Sequence, residues 1–204
     1  VYINGKLCVE KEFTNCQSSY LGNYLAIDRY ETGASIIVDN VEFPVEPITL
    51  EGFTNISVVD FVDASGNVME SKEYAYTTEP TTRDSFQLKE GMDYDKKLLS
   101  FKVDFKKPGN SEGSKGSCIH FAGAADWKGF WMNPHDSGDK LQIVSHSSYT
   151  GDDNYDVVEI DKDTAGVTSF VDHAFTIQLA IDFVETEATG YVDVHMDVYI
   201  NGKL

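Results

Sequence analysis

Tyr191-Val192-Asp193-Val194-His195-Met196-Asp197-Val198-Tyr199-Ile200-Asn201-Gly202 decides the fold class. Val192, Val194, Met196, Val198 and Ile200 stand at every second position, with Tyr191, Asp193, His195, Asp197 and Tyr199 between them. Successive side chains of a strand point to opposite faces, so this spacing describes a strand buried on one side and polar on the other. The Asn-Gly that follows favours a two-residue hairpin turn, in which both positions need positive φ.

Working outward, Leu99-Ser100-Phe101-Lys102-Val103-Asp104-Phe105 and Phe175-Thr176-Ile177-Gln178-Leu179-Ala180-Ile181-Asp182-Phe183 alternate in the same way. Shorter strands are expected at 24–28, 35–41, 56–61, 117–121, 130–133, 141–146 and 157–160. No stretch keeps a helical period over three turns, which excludes an α/β fold with its helices between strands. Short strands parted by Gly, Asn, Asp and Ser turns predict an all-β fold: two antiparallel sheets packed face to face as a jelly-roll sandwich.

With 204 residues, 41% of them hydrophobic, the chain suits one folded domain with a full apolar core. Its formal charge of −18 repels a phosphate backbone and argues against nucleic acid as a partner. No apolar run is long enough to span a bilayer, so no membrane insertion is expected, and an export signal would lie upstream. Cys8, Cys16 and Cys118 lack the paired spacing of zinc sites. A Cys8–Cys16 bridge across a loop and free thiols both remain open.

Val1-Tyr2-Ile3-Asn4-Gly5-Lys6-Leu7 recurs without change as Val198-Tyr199-Ile200-Asn201-Gly202-Lys203-Leu204, a spacing of 197 residues. A repeat of that length matches a whole domain, so the chain reads as one period of a tandem array plus a short overlap, cut through a strand. An artificial duplication or circular permutation gives the same consequence: a permuted strand order. Residues 1–45 then carry the last strands of a jelly roll, its own or a neighbour's, and 46–204 the first and central ones. Val1, Tyr2, Ile3, Val198, Tyr199 and Ile200 are the assembly residues, able to join copies head to tail by main-chain pairing at a sheet edge.

Read in the order 48–204 and then 8–43, the segments Leu99–Phe105, Gly129-Phe130-Trp131-Met132, Asp163-Thr164-Ala165-Gly166-Val167, Val198–Leu204 and Leu21-Gly22-Asn23-Tyr24-Leu25-Ala26-Ile27 resemble the concanavalin A-like or laminin G-like jelly rolls repeated in large surface proteins of Gram-positive bacteria. The resemblance implies an extracellular, cell-surface module without catalysis, serving as fibre, stalk or adhesin. Its partners would be neighbouring copies of the repeat and glycans, with calcium as a conceivable aid.

Several clusters carry chemical expectations. Trp127 and Trp131 with Asn133 could stack and hydrogen-bond a sugar, although alternation sets Trp131 opposite the core-facing Phe130 and Met132. Tyr191 and Tyr199 lie on the polar stripe quoted above and are a second contact surface. Glu159, Asp161 and Asp163 at alternate positions resemble the carboxylate strand of laminarinase-like glycosidases, which need two carboxyl groups about 5 to 5.5 Å apart. Asp161, Asp163, Gly166 and Asp172 match part of an EF-hand spacing without its flanking helices, so such a loop is not expected. Acidic loops offer calcium the oxygens of Asp152, Asp153 and Asp156, together with Asp136, Asp139 and Asn154. Cys118 and His120 share one face of a strand, where a structural histidine is the default. A nucleophile elbow and a phosphate loop are both missing from the sequence.

Overall fold

Alternation becomes fourteen strands in the computed structural model, which describes residues 6–41, 50–77, 81–92, 95–107, 116–124, 128–145 and 155–201. They are β1 (Lys6–Gln17), β2 (Leu21–Arg29), β3 (Ser35–Asp39), β4 (Thr54–Ser57), β5 (Phe61–Val62), β6 (Lys72–Ala75), β7 (Thr82–Leu88), β8 (Lys96–Phe105), β9 (Ser117–Gly123), β10 (Phe130–His135), β11 (Lys140–Ser145), β12 (Asp156–Asp161), β13 (Phe175–Glu185) and β14 (Tyr191–Asn201). One short helix, α1 (Lys162–Ala165), follows β12. One seven-stranded sheet runs β1-β14-β13-β8-β3-β6, with β4 also on β8; the other runs β12-β11-β10-β9-β2-β7-β5. Among the named strands only β4 on β8 is parallel; the other ladders are antiparallel.

The apolar rows of both sheets meet in one core. Val194, Met196, Val198 and Ile200 of β14 face Leu25 and Ile27 of β2, Ile119 and Phe121 of β9, and Phe130 and Met132 of β10 within a single buried cluster. The Phe13 ring of the first sheet meets Phe130 of the second edge-on, with centroids 5.0 Å apart. Each such side chain contributes about 1.5 to 3 kcal/mol by leaving water, so the two inward rows hold the sheets together. At one open side the edge strands β1 and β12 are tied by Lys11 and Asp156 at 2.8 Å.

Three strands from the first 41 residues are integral to this body. β2 lies between β9 and β7, β3 between β8 and β6, and β1 pairs with β14 at the sheet edge. Lys6 faces Ile200 and Leu7 faces Tyr199; bulges then shift the register between Leu7 and Val9 and between Phe13 and Cys16. Val1, Tyr2 and Ile3 lie outside the described residues, whereas Val198 and Ile200 are buried in the core.

Several local expectations need correction. The strand expected over 56–61 is broken by a turn at Val58–Asp60, because Ser57 and Asp60 cap it reciprocally, Ser57 N donating to Asp60 Oδ2 at 2.9 Å. Cys8 and Cys16 are free thiols. They lie on the single strand β1, where eight residues of extended chain separate them by about 25 Å, far beyond a disulfide's reach. Strands β1, β6 and β7 have little apolar alternation and were not expected; β7 buries only Phe86 and Leu88. No helix among the described residues is long and apolar enough to cross a membrane.

Candidate functional site

The face of the β2-containing sheet that points away from the core carries most of the polar chemistry. Register places Glu159, Gln142 and Asn133 side by side on β12, β11 and β10, and Cys118, Asp28 and Arg83 side by side on β9, β2 and β7. A second row runs Val157, Val144, Trp131, His120, Ala26 and Ser85. Alternation is the cause: Ile27, Ile119 and Met132 take the core face, which turns Asp28, Cys118, His120 and Trp131 outward.

Outward does not mean exposed here. Asp28 and Cys118 are fully buried, His120 is 5% and Trp131 8% exposed, and Asn133 1%. Arg83 grips Asp28 with two hydrogen bonds, Nε to Oδ1 at 2.6 Å and Nη2 to Oδ2 at 2.5 Å. The Tyr30 hydroxyl donates to Asp28 Oδ2 at 3.1 Å and lies 3.6 Å from Cys118 Sγ. His120 Nε2 is 3.0 Å from the same Oδ2, and its ring stacks on Trp131 with centroids 6.3 Å apart. Trp131 also packs against Cys118 and Val144, with Tyr30 alongside.

Electrostatics follow from this packing. Burial raises the Asp28 pKa, but hydrogen bonds from Arg83 and the approach of His120 more than offset it and hold the carboxyl well below the usual carboxylate range. Burial opposes charge on His120, yet Cys118 and Asp28 beside it win and raise its pKa to about 9. The Tyr30 hydroxyl is pushed far up, first by burial and then by Cys118 and Asp28. The packing therefore favours the ionised form of Asp28 and the protonated form of His120, with Arg83 and His120 each in contact with the Asp28 carboxylate.

The other expected site residues fall elsewhere. Asn133 Nδ2 donates to its neighbouring Pro134 carbonyl, and Trp131 is enclosed, so these two form no open platform for a sugar ring. Trp127 lies outside the described residues. Tyr191 is exposed and Tyr199 half-buried on the outer face of the first sheet, separated by the row Asp193, His195 and Asp197. There His195 contacts Glu12 at 3.0 Å and Tyr199 donates to Asp197 at 3.4 Å.

Glu159, Asp161 and Asp163 do not form one carboxylate row. Strand β12 ends at Asp161, and Asp163 sits in α1 because Gly166, with φ 71°, caps a helical turn there. Glu159 is held by Lys140 at 2.7 Å and by Gln142 at 3.1 Å, which lowers its pKa, the Lys140 hydrogen bond leading. Such a pairing gives a glycosidase neither a free nucleophile nor an acid with a raised pKa.

Calcium oxygens fare similarly. Asp152, Asp153 and Asn154 lie outside the described residues. Asp156 pairs with Lys11, Asp139 with Lys162, and Asp136 with Lys140 at 3.4 Å. Among the described residues the one cluster of three metal-ligating side chains is Asp28, Cys118 and His120, whose ligand atoms all lie within 4.8 Å of one another. Sequence spacing pointed at Cys118 and His120 but left them apart; Asp28 and Tyr30 were missed. The available signal was a lone aspartate in the otherwise apolar Tyr24-Leu25-Ala26-Ile27-Asp28.

Comparison of the chain with protein-family models, with curated proteins and with solved structures finds no match.

Proposed function

We propose that this chain is a non-catalytic, extracellular tandem-repeat module, a jelly roll of the concanavalin A-like kind that extends a cell-surface fibre, stalk or adhesin. One observation carries the reading. Lys6 pairs with Ile200 and Leu7 with Tyr199, while Lys203 and Leu204 repeat Lys6 and Leu7 in sequence. A two-residue turn at Asn201-Gly202 would set Lys203 opposite Ile200 and Leu204 opposite Tyr199, which is the same register. The duplicated heptad thus spells one hairpin: end of β14, tight turn, start of β1. In an array, β14 of one period runs through that turn directly into β1 of the next, and the sandwich is built from 46–204 followed by the next 8–45.

Charge supports this role, since the strong negative charge of the chain, −18 over its 204 residues, keeps neighbouring sandwiches apart and soluble. The decisive experiment is a circular permutant that begins at residue 46, reads through 204 and continues with residues 8–45. It should fold cooperatively as a monomer with a far-ultraviolet spectrum like that of the parent chain. A permutant that is unfolded or aggregated overturns the reading. Glycan binding ranks second, because Trp131 and Asn133 are enclosed and Lys140, Gln142 and Glu159 satisfy one another. Calorimetry against a glycan panel would restore it by showing saturable heat.

A further inference from the structure

We propose that Asp28, Cys118 and His120 bind one divalent ion of borderline softness, zinc in type, between strands β2 and β9. The inference is independent of the module reading. A tetrahedral zinc ion with bonds of about 2.0 to 2.3 Å holds its ligand atoms roughly 3.2 to 3.8 Å apart. Three edges of the cluster are close to this, His120 Nε2 to Asp28 Oδ2 at 3.0 Å, Tyr30 Oη to the same oxygen at 3.1 Å and Tyr30 Oη to Cys118 Sγ at 3.6 Å, and the Cys118 sulfur lies within 4.8 Å of both the Asp28 and the His120 ligand atoms. Nitrogen, oxygen and sulfur donors together select a zinc-like ion over calcium or magnesium, which prefer oxygen alone.

A second observation points the same way. His120 is 5% exposed, yet neither ring nitrogen makes a hydrogen bond of acceptable geometry among the described residues. Nε2 lies beside Asp28 Oδ2 without being aligned for a proton between them, as a ring oriented toward a shared ion would lie. Arg83 holds Asp28 as an outer-shell partner holds a ligating carboxylate, and Trp131 stacked on His120 fixes the ring plane. The ion takes Cys118 as thiolate and His120 as neutral imidazole, so any proton either group carries leaves to solvent as the ion enters. Tyr30 supplies the fourth ligand atom, an oxygen, as a neutral hydroxyl. With Asp28, Cys118 and His120 all buried, the site is structural, tying the adjacent central strands β2 and β9.

Cobalt(II) tests it on the reduced, chelator-treated whole chain, since its thiolate charge-transfer band and tetrahedral visible bands report sulfur ligation directly. Expected is saturation at one cobalt per chain with a charge-transfer band, displaced by one equivalent of zinc. Cys118→Ser should abolish that band, and His120→Gln should weaken cobalt binding by more than about tenfold, at least as much as loss of an outer-shell partner does. Should either variant fail to fold, a Cys8→Ser, Cys16→Ala double variant leaves Cys118 as the sole thiol of the three and should keep the band. Absence of one-to-one saturation in the parent chain, a band that survives Cys118→Ser, or its loss from the double variant overturns the proposal.

Discussion

Ile200 and Ile3 are the same residue in the two copies of the heptad, and replacing each by alanine separates their positions in the fold. Ile200 is fully buried, faces Lys6 on one side and Ile177 on the other, and joins the common core. Truncation to alanine removes about three carbons, worth about 2.4 kcal/mol at roughly 0.8 kcal/mol each. A residual cavity brings the cost of Ile200→Ala to about 2 to 5 kcal/mol. The slot beside Lys6 and Leu7 is already taken by Ile200 and Tyr199, so Ile3→Ala should change stability by less than about 0.5 kcal/mol. Urea unfolding followed by tryptophan fluorescence, at protein concentrations low enough to keep copies apart, measures both. Equal losses, or a larger loss for Ile3→Ala, would mean that the first heptad fills the slot and would refute the hairpin register.

Three further outcomes follow from packing and charge. In chelator-treated protein, His120 adds stability that is fully present below its unfolded pKa of 6.5 and lost as pH rises through about 9, at most about 3 kcal/mol; urea midpoints across pH 6 to 10 should show this fall, and His120→Gln should remove it. Asp28 works at the other end, its contribution being present above the usual carboxylate range and lost under acid, so Asp28→Asn should flatten the acid limb of the same curve. Gly129→Ala should cost about 2 to 4 kcal/mol by thermal unfolding, because Gly129 has φ 102° and an added Cβ would sit 2.5 Å from Gly123 Cα at the turn between β9 and β10.

Strands with alternating apolar residues were legible because a half-buried strand prints its burial directly on the sequence. β8, β13 and β14 fall where Leu99–Phe105, Phe175–Phe183 and Tyr191–Ile200 placed them. Edge and outer strands print it weakly: β1 mixes Glu10, Lys11 and Glu12 with two bulges, and β7 has only two core side chains. The site was less legible still. Alternation brought out Cys118 and His120 as one row, but contact with Asp28 and Arg83 depends on which strands become neighbours, and β2 reaches β9 and β7 from far along the chain. Trp131 shows the complementary limit, since its face was readable and its enclosure was not.

Under the proposed array, the same edge chemistry narrows how copies would join. Among the described residues no strand pairs with β1 on its outer side, and β1 carries charges at Glu10, Lys11 and Glu12 and bulges at both ends, the devices that discourage another strand from adding there. Simple augmentation on β1 is therefore disfavoured. The slot between β1 and β13 is different: it accepts the Val-Tyr-Ile sequence in a fixed register, it buries Val198 and Ile200 completely, and the chain owns two identical segments for it. Copies linked through a shared strand must use that slot, by continuous chain in an array or by exchange between separate chains. A peptide of residues 1–7, added in excess, should then leave the folded module unlabelled until the end of β14 is truncated before Val198, and should bind the truncated module in the β14 register. Equal binding to the intact module would place the junction at the free edge instead.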